Sequence, residues 1–169
     1  MDTLAAVQSA RLCLETNTPL KNDCGMCCGN ACCQTGEAGS GMLLFPQEDK
    51  LYTILPEGFS ISPSIAMPGA LILSCEGRCN RADRPLACRF FPLIPYLRNT
   101  SGGIAMDVRA WPVCLLMEDG IAGLRRTFVN AAVSSARALM AARENRDFVM
   151  RLTRHLDAHK RFDAPEEDV

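Results

Sequence analysis

The chain is 169 residues long, 48% hydrophobic and 22% charged. That is enough to bury a core without depending wholly on cross-links, and it fits one domain with at most a helical appendage. Lys and Arg number 18 against 19 Asp and Glu, a formal net charge of −1, which excludes a strongly basic nucleic-acid binder and an acidic disordered chain.

In chain order, residues 3–16 predict a short amphipathic helix. Asp2 is placed to cap it, and Leu4, Val7 and Leu14 fall at helical spacing, interrupted by Arg11. Asn17 and Pro19 end it, and the glycines at 25, 29, 36, 39 and 41 make 17–41 a loop. Met42–Phe45 reads as a buried strand. Pro46 suits the first turn of a helix, with Glu48 and Asp49 near its positive end and Leu51, Ile54 and Leu55 facing the core. Ala70–Ser74 is a second strand, leading directly into Cys75. Leu93–Leu97 and Ile104–Val108 flank residues 99–103 as a hairpin whose first strand Pro92 and Pro95 confine to an edge. From about Asp119 the spacing of Ile121, Leu124, Phe128, Ala131, Ser135, Leu139 and Ala142 is helical, and Phe148, Leu152 and Leu156 resume it after a weak point at Glu144-Asn145. One long helix or a helical hairpin would both fit.

The compositional outlier is cysteine, ten residues against two histidines. The N-terminus lacks a basic flank and an apolar stretch of the signal-peptide kind, and no run approaches the ~20 apolar residues of a membrane span. The expected setting is therefore cytoplasmic, where clustered thiols are more often metal ligands than disulfides.

The first cluster is Cys24-Gly25-Met26-Cys27-Cys28-Gly29-Asn30-Ala31-Cys32-Cys33. Its C-x2-C, C-x3-C and C-x4-C spacings let one turn of backbone aim two sulfurs at one ion, at about 2.3 Å from each for zinc. The interleaved glycines permit positive φ. Side chains of adjacent residues point apart, so Cys27 and Cys28, and likewise Cys32 and Cys33, are candidates to serve different metals. The second cluster, Cys75, Cys79 and Cys88, supplies a further half-site. Arg78, Arg81, Arg84 and Arg89 are interleaved with it. Four thiolates around one zinc ion leave a net double negative charge, which guanidinium groups would offset while donating N–H···S bonds; Arg84 and Arg89 are the candidates for that cofactor-binding role. Cys24, Cys28, Cys33, Cys75, Cys79 and Cys88 are the expected metal ligands, with Cys27, Cys32 and Cys114 as additional ones. Cys13, isolated on a helix, reads as a packed thiol.

Cys24-Gly25 followed by Cys27-Cys28, or the shifted Cys28-Gly29 followed by Cys32-Cys33, precedes Gly77-Arg78-Cys79, Arg84-Pro85, Cys88-Arg89 and Phe91-Pro92. This arrangement, over residues 20–115, resembles the YkgJ-like cysteine-cluster family, whose CxxCxxCC domain is described as chelating zinc or iron. Lys21 stands where the family's first cysteine falls when Cys24-Gly25 is aligned with its second. The resemblance implies chelation of zinc or iron, including iron as an iron–sulfur cluster. A related cysteine cluster occurs in flagellin lysine methylases, which implies a link to protein modification.

Competing readings fare worse. Cys24-Gly25-Met26-Cys27 lacks the preceding apolar strand of a thioredoxin-type motif. Neither an HExxH nor a copper-chaperone MxCxxC is present. His155 and His159 stand four apart among Arg151, Arg154 and Lys160 and read as an exposed helix face. The basic C-terminal residues lack aromatic interleaving, which disfavours nucleic acid as a partner. The expected fold is α+β: a small, irregular, metal-knit, cysteine-rich core with short strands and C-terminal helices. The expected division is 1–118 as a cysteine-cluster metal-binding domain, 119–163 as a helical segment packed on it, and 164–169 as a disordered tail. The expected cofactor is zinc, with iron or an iron–sulfur cluster as the alternative. No catalytic residue set emerges. A metal-binding module serving a protein partner and an iron–sulfur enzyme or redox protein are the two function classes left open, and no membrane partner is expected.

Overall fold

The computed structural model describes residues 1–21, 25–33, 41–77, 79–98 and 101–162. Helices and antiparallel sheets combine in the α+β class. The expected C-terminal tail at 164–169 lies outside the described residues.

Helix α1 (Thr3–Cys13) begins where expected, because the Asp2 carboxylate accepts the Ala5 amide at 3.0 Å. It packs chiefly on α4 (Arg126–Leu139). Small residues on both sides, Ala6 and Ala10 on α1 and Ala132 and Ala136 on α4, are fully buried and let the two backbones come close. Val7, Leu14, Phe128 and Leu139 fill the space around them. One polar bond crosses this interface: the buried Ser135 hydroxyl donates to the Ala10 carbonyl at 2.8 Å.

The C-terminal pattern resolves into a hairpin of α4 and α5 (Arg143–Phe162), not one long helix. The break falls at residues 140–142, before the weak point read from the sequence. Asn145 instead sits buried in the first turns of α5, where its amide donates to the Thr3 carbonyl at 3.2 Å. A polar residue that interrupts the apolar pattern is thus a tie between the two ends of the chain.

Strand β1 (Met42–Leu44) pairs antiparallel with β3 (Leu71–Ser74), which pairs on its other side with β2 (Ser60–Pro63), in the order β1-β3-β2. Strand β2 was not legible: Ser60, Ile61, Ser62 and Pro63 are short, largely polar and poorly buried. The expected hairpin forms from β4 (Leu93–Arg98) and β5 (Ser101–Met106). Two strands leave no central position, so Pro95, opposite Ile104, removes no shared ladder bond. Helix α5 lies along β4, where the Thr153 hydroxyl accepts the Leu97 amide at 3.0 Å and the Tyr96 hydroxyl donates to Asp157 at 2.7 Å. Phe45, just past β1, meets Phe148 of α5 edge to face at 5.6 Å.

The core is aliphatic and aromatic and is shared by α1, both sheets and the α4–α5 hairpin. The described cysteines are half-buried at its edge. The helix expected after Pro46 is only a 3-10 turn, Glu48–Leu51. Leu51 reaches the core, but Ile54 is 87% exposed and Leu55 39% exposed. The turn stops at Tyr52, so neither residue shares the face that Leu51 buries.

Glu48 is not at a solvated helix end either. It is fully buried, and its carboxylate accepts the Leu86 amide at 2.6 Å, the Phe45 amide at 3.0 Å and the Arg11 guanidinium at 3.1 Å. Burial pushes this carboxyl up, and the three donors pull it back towards the ionised form. Nearby, the Tyr52 hydroxyl donates to the Asp83 carbonyl at 2.9 Å and is pushed up to about 12, first by burial and then by the Glu48 charge.

Glu48→Ala strands two buried amides and one guanidinium, so the expected loss is about 3–5 kcal/mol in chemical denaturation of the metal-free protein; a loss below about 1 kcal/mol would place this interaction among surface pairs. Near the α1 terminus, the hydrogen bond from Arg89 and its charge hold the Glu15 carboxyl below its ordinary 4.5. A lowered native value means this contribution is present above that pH and fades as pH falls through and below it. Glu15→Gln is therefore expected to flatten the acid limb of the stability–pH curve relative to the parent chain.

Candidate metal centre

Two separated stretches of chain meet at the edge of the core. The first is α2 (Gly25–Cys28), followed by Gly29 and Asn30, both with φ of 60°, and then a 3-10 turn over Ala31–Cys33. Two successive left-handed residues reverse the chain sharply between Cys28 and Cys32. The Cys33 amide closes the turn on the Asn30 carbonyl at 2.8 Å.

The second stretch leaves β3 at Cys75, turns at Gly77, passes Cys79 and forms a 3-10 turn over Arg81–Asp83. It then enters α3 (Leu86–Phe90), which carries Cys88. Gly77 has φ +86°, and a Cβ there would stand 3.2 Å from the Cys33 carbonyl oxygen. Glycine is thus required both for the turn and for the approach of the two stretches.

This approach groups four of the expected ligands. Cys88 keeps a little exposed surface but is packed round by protein on most sides. Its thiol is pushed up, mainly by burial and further by the charges of Cys33, Cys79 and Cys75. Burial likewise pushes Cys79 up, with Cys75 and Cys33 adding to it. The guanidinium of Arg84 sits beside Cys79 and within electrostatic reach of Cys33 and Cys88, and it opposes these shifts. Its Nε is buried with no hydrogen-bond partner among the described residues.

The other arginines are employed differently. Arg81 donates to the carbonyls of Leu14 and Asn17, both at 2.6 Å, and of Glu15 at 2.7 Å, and so closes the C-terminus of α1. Arg11 reaches back to the Ala82 carbonyl at 2.8 Å. Arg89, expected beside the thiolates, instead donates to the carbonyls of Ala82 at 2.9 Å and Arg84 at 3.1 Å and pairs with Glu15. Arg84 stands beside Cys79, Arg89 clamps the second stretch onto α1, and Arg78 lies outside the described residues.

A second group of thiols adjoins the first. Cys114 follows a 3-10 turn over Val108–Ala110, which Asp107 caps, and its amide donates to the Ala110 carbonyl at 2.8 Å. Burial pushes the Cys114 thiol up, the neighbouring Leu116 amide opposes this, and the charge of Cys28 adds to it. Cys28, Cys32 and Cys114 line one cavity of about 30 Å³, with Phe91, Pro92 and Leu116 among its apolar walls. Cys28 and Cys114 also line a larger cleft of about 270 Å³ with Trp111 and Glu118. The Cys32 and Cys33 sulfurs, 4.0 Å apart, mark where the two groups touch.

Of the remaining candidates, Cys24 lies outside the described residues, as does the side chain of Cys27. Cys13 donates its thiol to the Ser9 carbonyl of its own helix at 3.4 Å. His155 is half-buried on α5, and the His159 side chain lies outside the described residues. Among the described residues, no three Cys, His, Asp or Glu side chains are already spaced to hold a metal ion. The thiols are grouped, and an ion would have to draw them together.

No protein-family model matches this chain, and no curated protein or solved structure does. No helix among the described residues is long and apolar enough to cross a membrane.

Sequence reasoning missed the Glu48–Arg11 pair and the clamping roles of Arg81 and Arg89. The only signal for them was the pair of charges inside apolar patterns, Arg11 in the α1 stripe and Glu48 after Met42–Phe45.

Gly77→Ala combines a positive φ with a tight Cβ contact, so it is expected to cost about 1–3 kcal/mol of stability. Gly29→Ala, with nothing within 4 Å of its Cβ, bears only the conformational part. Equal losses in thermal melts of the two variants would remove the approach to Cys33 as the cause.

Proposed function

We propose that this protein binds one zinc ion through Cys33, Cys75, Cys79 and Cys88, and that the ion cross-links the turn after α2, the end of β3 and helix α3. The observation that carries the reading is the approach of two distant cysteine-bearing stretches, where a Cβ on Gly77 would stand 3.2 Å from the Cys33 carbonyl oxygen, beside Arg84, whose Nε is buried with no hydrogen-bond partner among the described residues. The donor set suits the ion, since soft thiolates in fours make the closed tetrahedral sites in which zinc is structural. The charge suits it too. Thiolates at these positions would repel one another without an ion between them, and Arg84 would offset the excess negative charge left once one is bound. The resemblance to the YkgJ-like cysteine cluster points the same way. Bound zinc would supply a rigid joint where the polypeptide itself offers only turns.

Iron also takes four thiolates, and the same experiment separates the two. Protein purified anaerobically and analysed for metal and visible absorption is expected to be colourless with stoichiometric zinc. A brown protein containing iron and sulfide would replace the zinc site with a cluster and shift the function towards redox chemistry or protein modification. Cys79→Ser and Cys88→Ser are each expected to lose the zinc ion of this tetrad and to melt at lower temperature, whereas Cys13→Ser does neither. Arg84→Met is expected to weaken affinity by about 10–100-fold with the fold retained. Unchanged metal content in both Cys79→Ser and Cys88→Ser overturns the proposal.

A further inference from the structure

The thiols outside the proposed zinc tetrad are not scattered. Cys28 at the end of α2, Cys32 in the following turn and Cys114 some eighty residues away line a single cavity. At about 30 Å³ that cavity has room for one small ion or one water, and its other walls, Phe91, Pro92, Val113, Leu115 and Leu116, are largely apolar. Apolar walls with three sulfurs are a poor home for water and a good one for a soft cation.

The backbone supports the same reading. The reversal at Gly29-Asn30 folds Cys32 back towards Cys28. Cys28 and Cys114 also form a shared wall with the larger cleft, where Trp111 is 58% exposed and Glu118 lies at the rim.

We infer that Cys28, Cys32 and Cys114 form a second metal site, which takes one zinc ion through three thiolates and leaves its fourth position to an exogenous donor entering from the Trp111 cleft. The inference rests on the reading of the clustered thiols as metal ligands, but on different residues. A tetrad of thiolates closes the first site, whereas a triad beside a cleft keeps the second open, the arrangement that lets zinc polarise a bound molecule. Three thiolates already outweigh the ion's charge and Glu118 adds to the negative field, so water holds the fourth position at rest, and an incoming thiol would bind as its thiolate with release of its proton to solvent.

The chain contains a single tryptophan, so Trp111 reports on this cleft alone. The reduced, metal-free full chain is titrated anaerobically with zinc, and in parallel with cobalt, under a non-thiol reductant. The parent chain is expected to take up two equivalents, one of which changes Trp111 emission. Cys114→Ser is expected to lose that equivalent and keep the other. Cys88→Ser is expected to keep the Trp111-sensitive equivalent and lose the other. Cys28→Ser is an independent variant should Cys114→Ser fail to fold by circular dichroism. With cobalt bound, added 2-mercaptoethanol is expected to shift the thiolate-to-metal absorption in the parent chain and not in Cys114→Ser. One equivalent that Cys114→Ser leaves intact overturns the second site and leaves the first standing. One equivalent lost equally in Cys114→Ser and Cys88→Ser shows all the thiols serving a single centre and also overturns it. No uptake by the parent chain overturns both readings. Two equivalents without a response to 2-mercaptoethanol overturn the open position.

Discussion

A carboxylate removed from water holds this structure together. Glu48 is fully buried and gathers donors from three places: its own turn at Phe45, the start of α3 at Leu86 and the middle of α1 at Arg11. A charge in that position is costly unless every lone pair is used, and the backbone can meet that demand in few ways. Helix α3 is five residues long and would not persist by itself. With its first amide bound to Glu48 and Phe90 buried beneath it, it holds Cys88 at a defined place at the core's edge.

Arginine extends the same logic outwards. Arg81, Arg89 and Arg11 bridge the C-terminal end of α1 and the 3-10 turn at residues 81–83, mostly through main-chain carbonyls. These carbonyls would otherwise need water or a cap. A segment with little regular secondary structure is therefore tied to a helix by side chains, not by a ladder. The division of labour among the arginines follows from reach: Arg81 and Arg89 meet oxygen atoms, and Arg84 is turned towards sulfur.

The thiols sit where the chain is built from turns. Gly29, Asn30 and Gly77 all have positive φ, and the grouped cysteines lie outside the apolar cluster. Segments of this kind, with few buried contacts, belong to the least stable parts of a fold. In the proposed reading, metal binding and local ordering are one event, because the ion supplies the cross-links that packing does not. The proposed closed and open sites divide the remaining work, the first as a joint and the second as a place for chemistry.

By itself the sequence determined the local features. Asp2 before an apolar stripe specifies a cap, alternating prolines specify an edge strand, and 3–4 spacing specifies the C-terminal helices, because each depends on interactions within a few residues. It also marked the clustered cysteines as the candidate ligands. Tertiary structure alone decided which sulfurs are neighbours. Cys88 is within electrostatic reach of Cys33, Cys75 and Cys79, and Cys28 and Cys32 line a cavity with Cys114. Adjacent side chains were expected to point apart, but the turn over Ala31–Cys33 brings the Cys32 and Cys33 sulfurs to 4.0 Å. Tertiary structure likewise made Glu48, read from the sequence as lying near the positive end of a helix, an interior anchor and drew Arg89 away from sulfur. The reason is common to all of these: the partners lie tens of residues apart, and nothing in local spacing encodes which distant atoms a long side chain will meet.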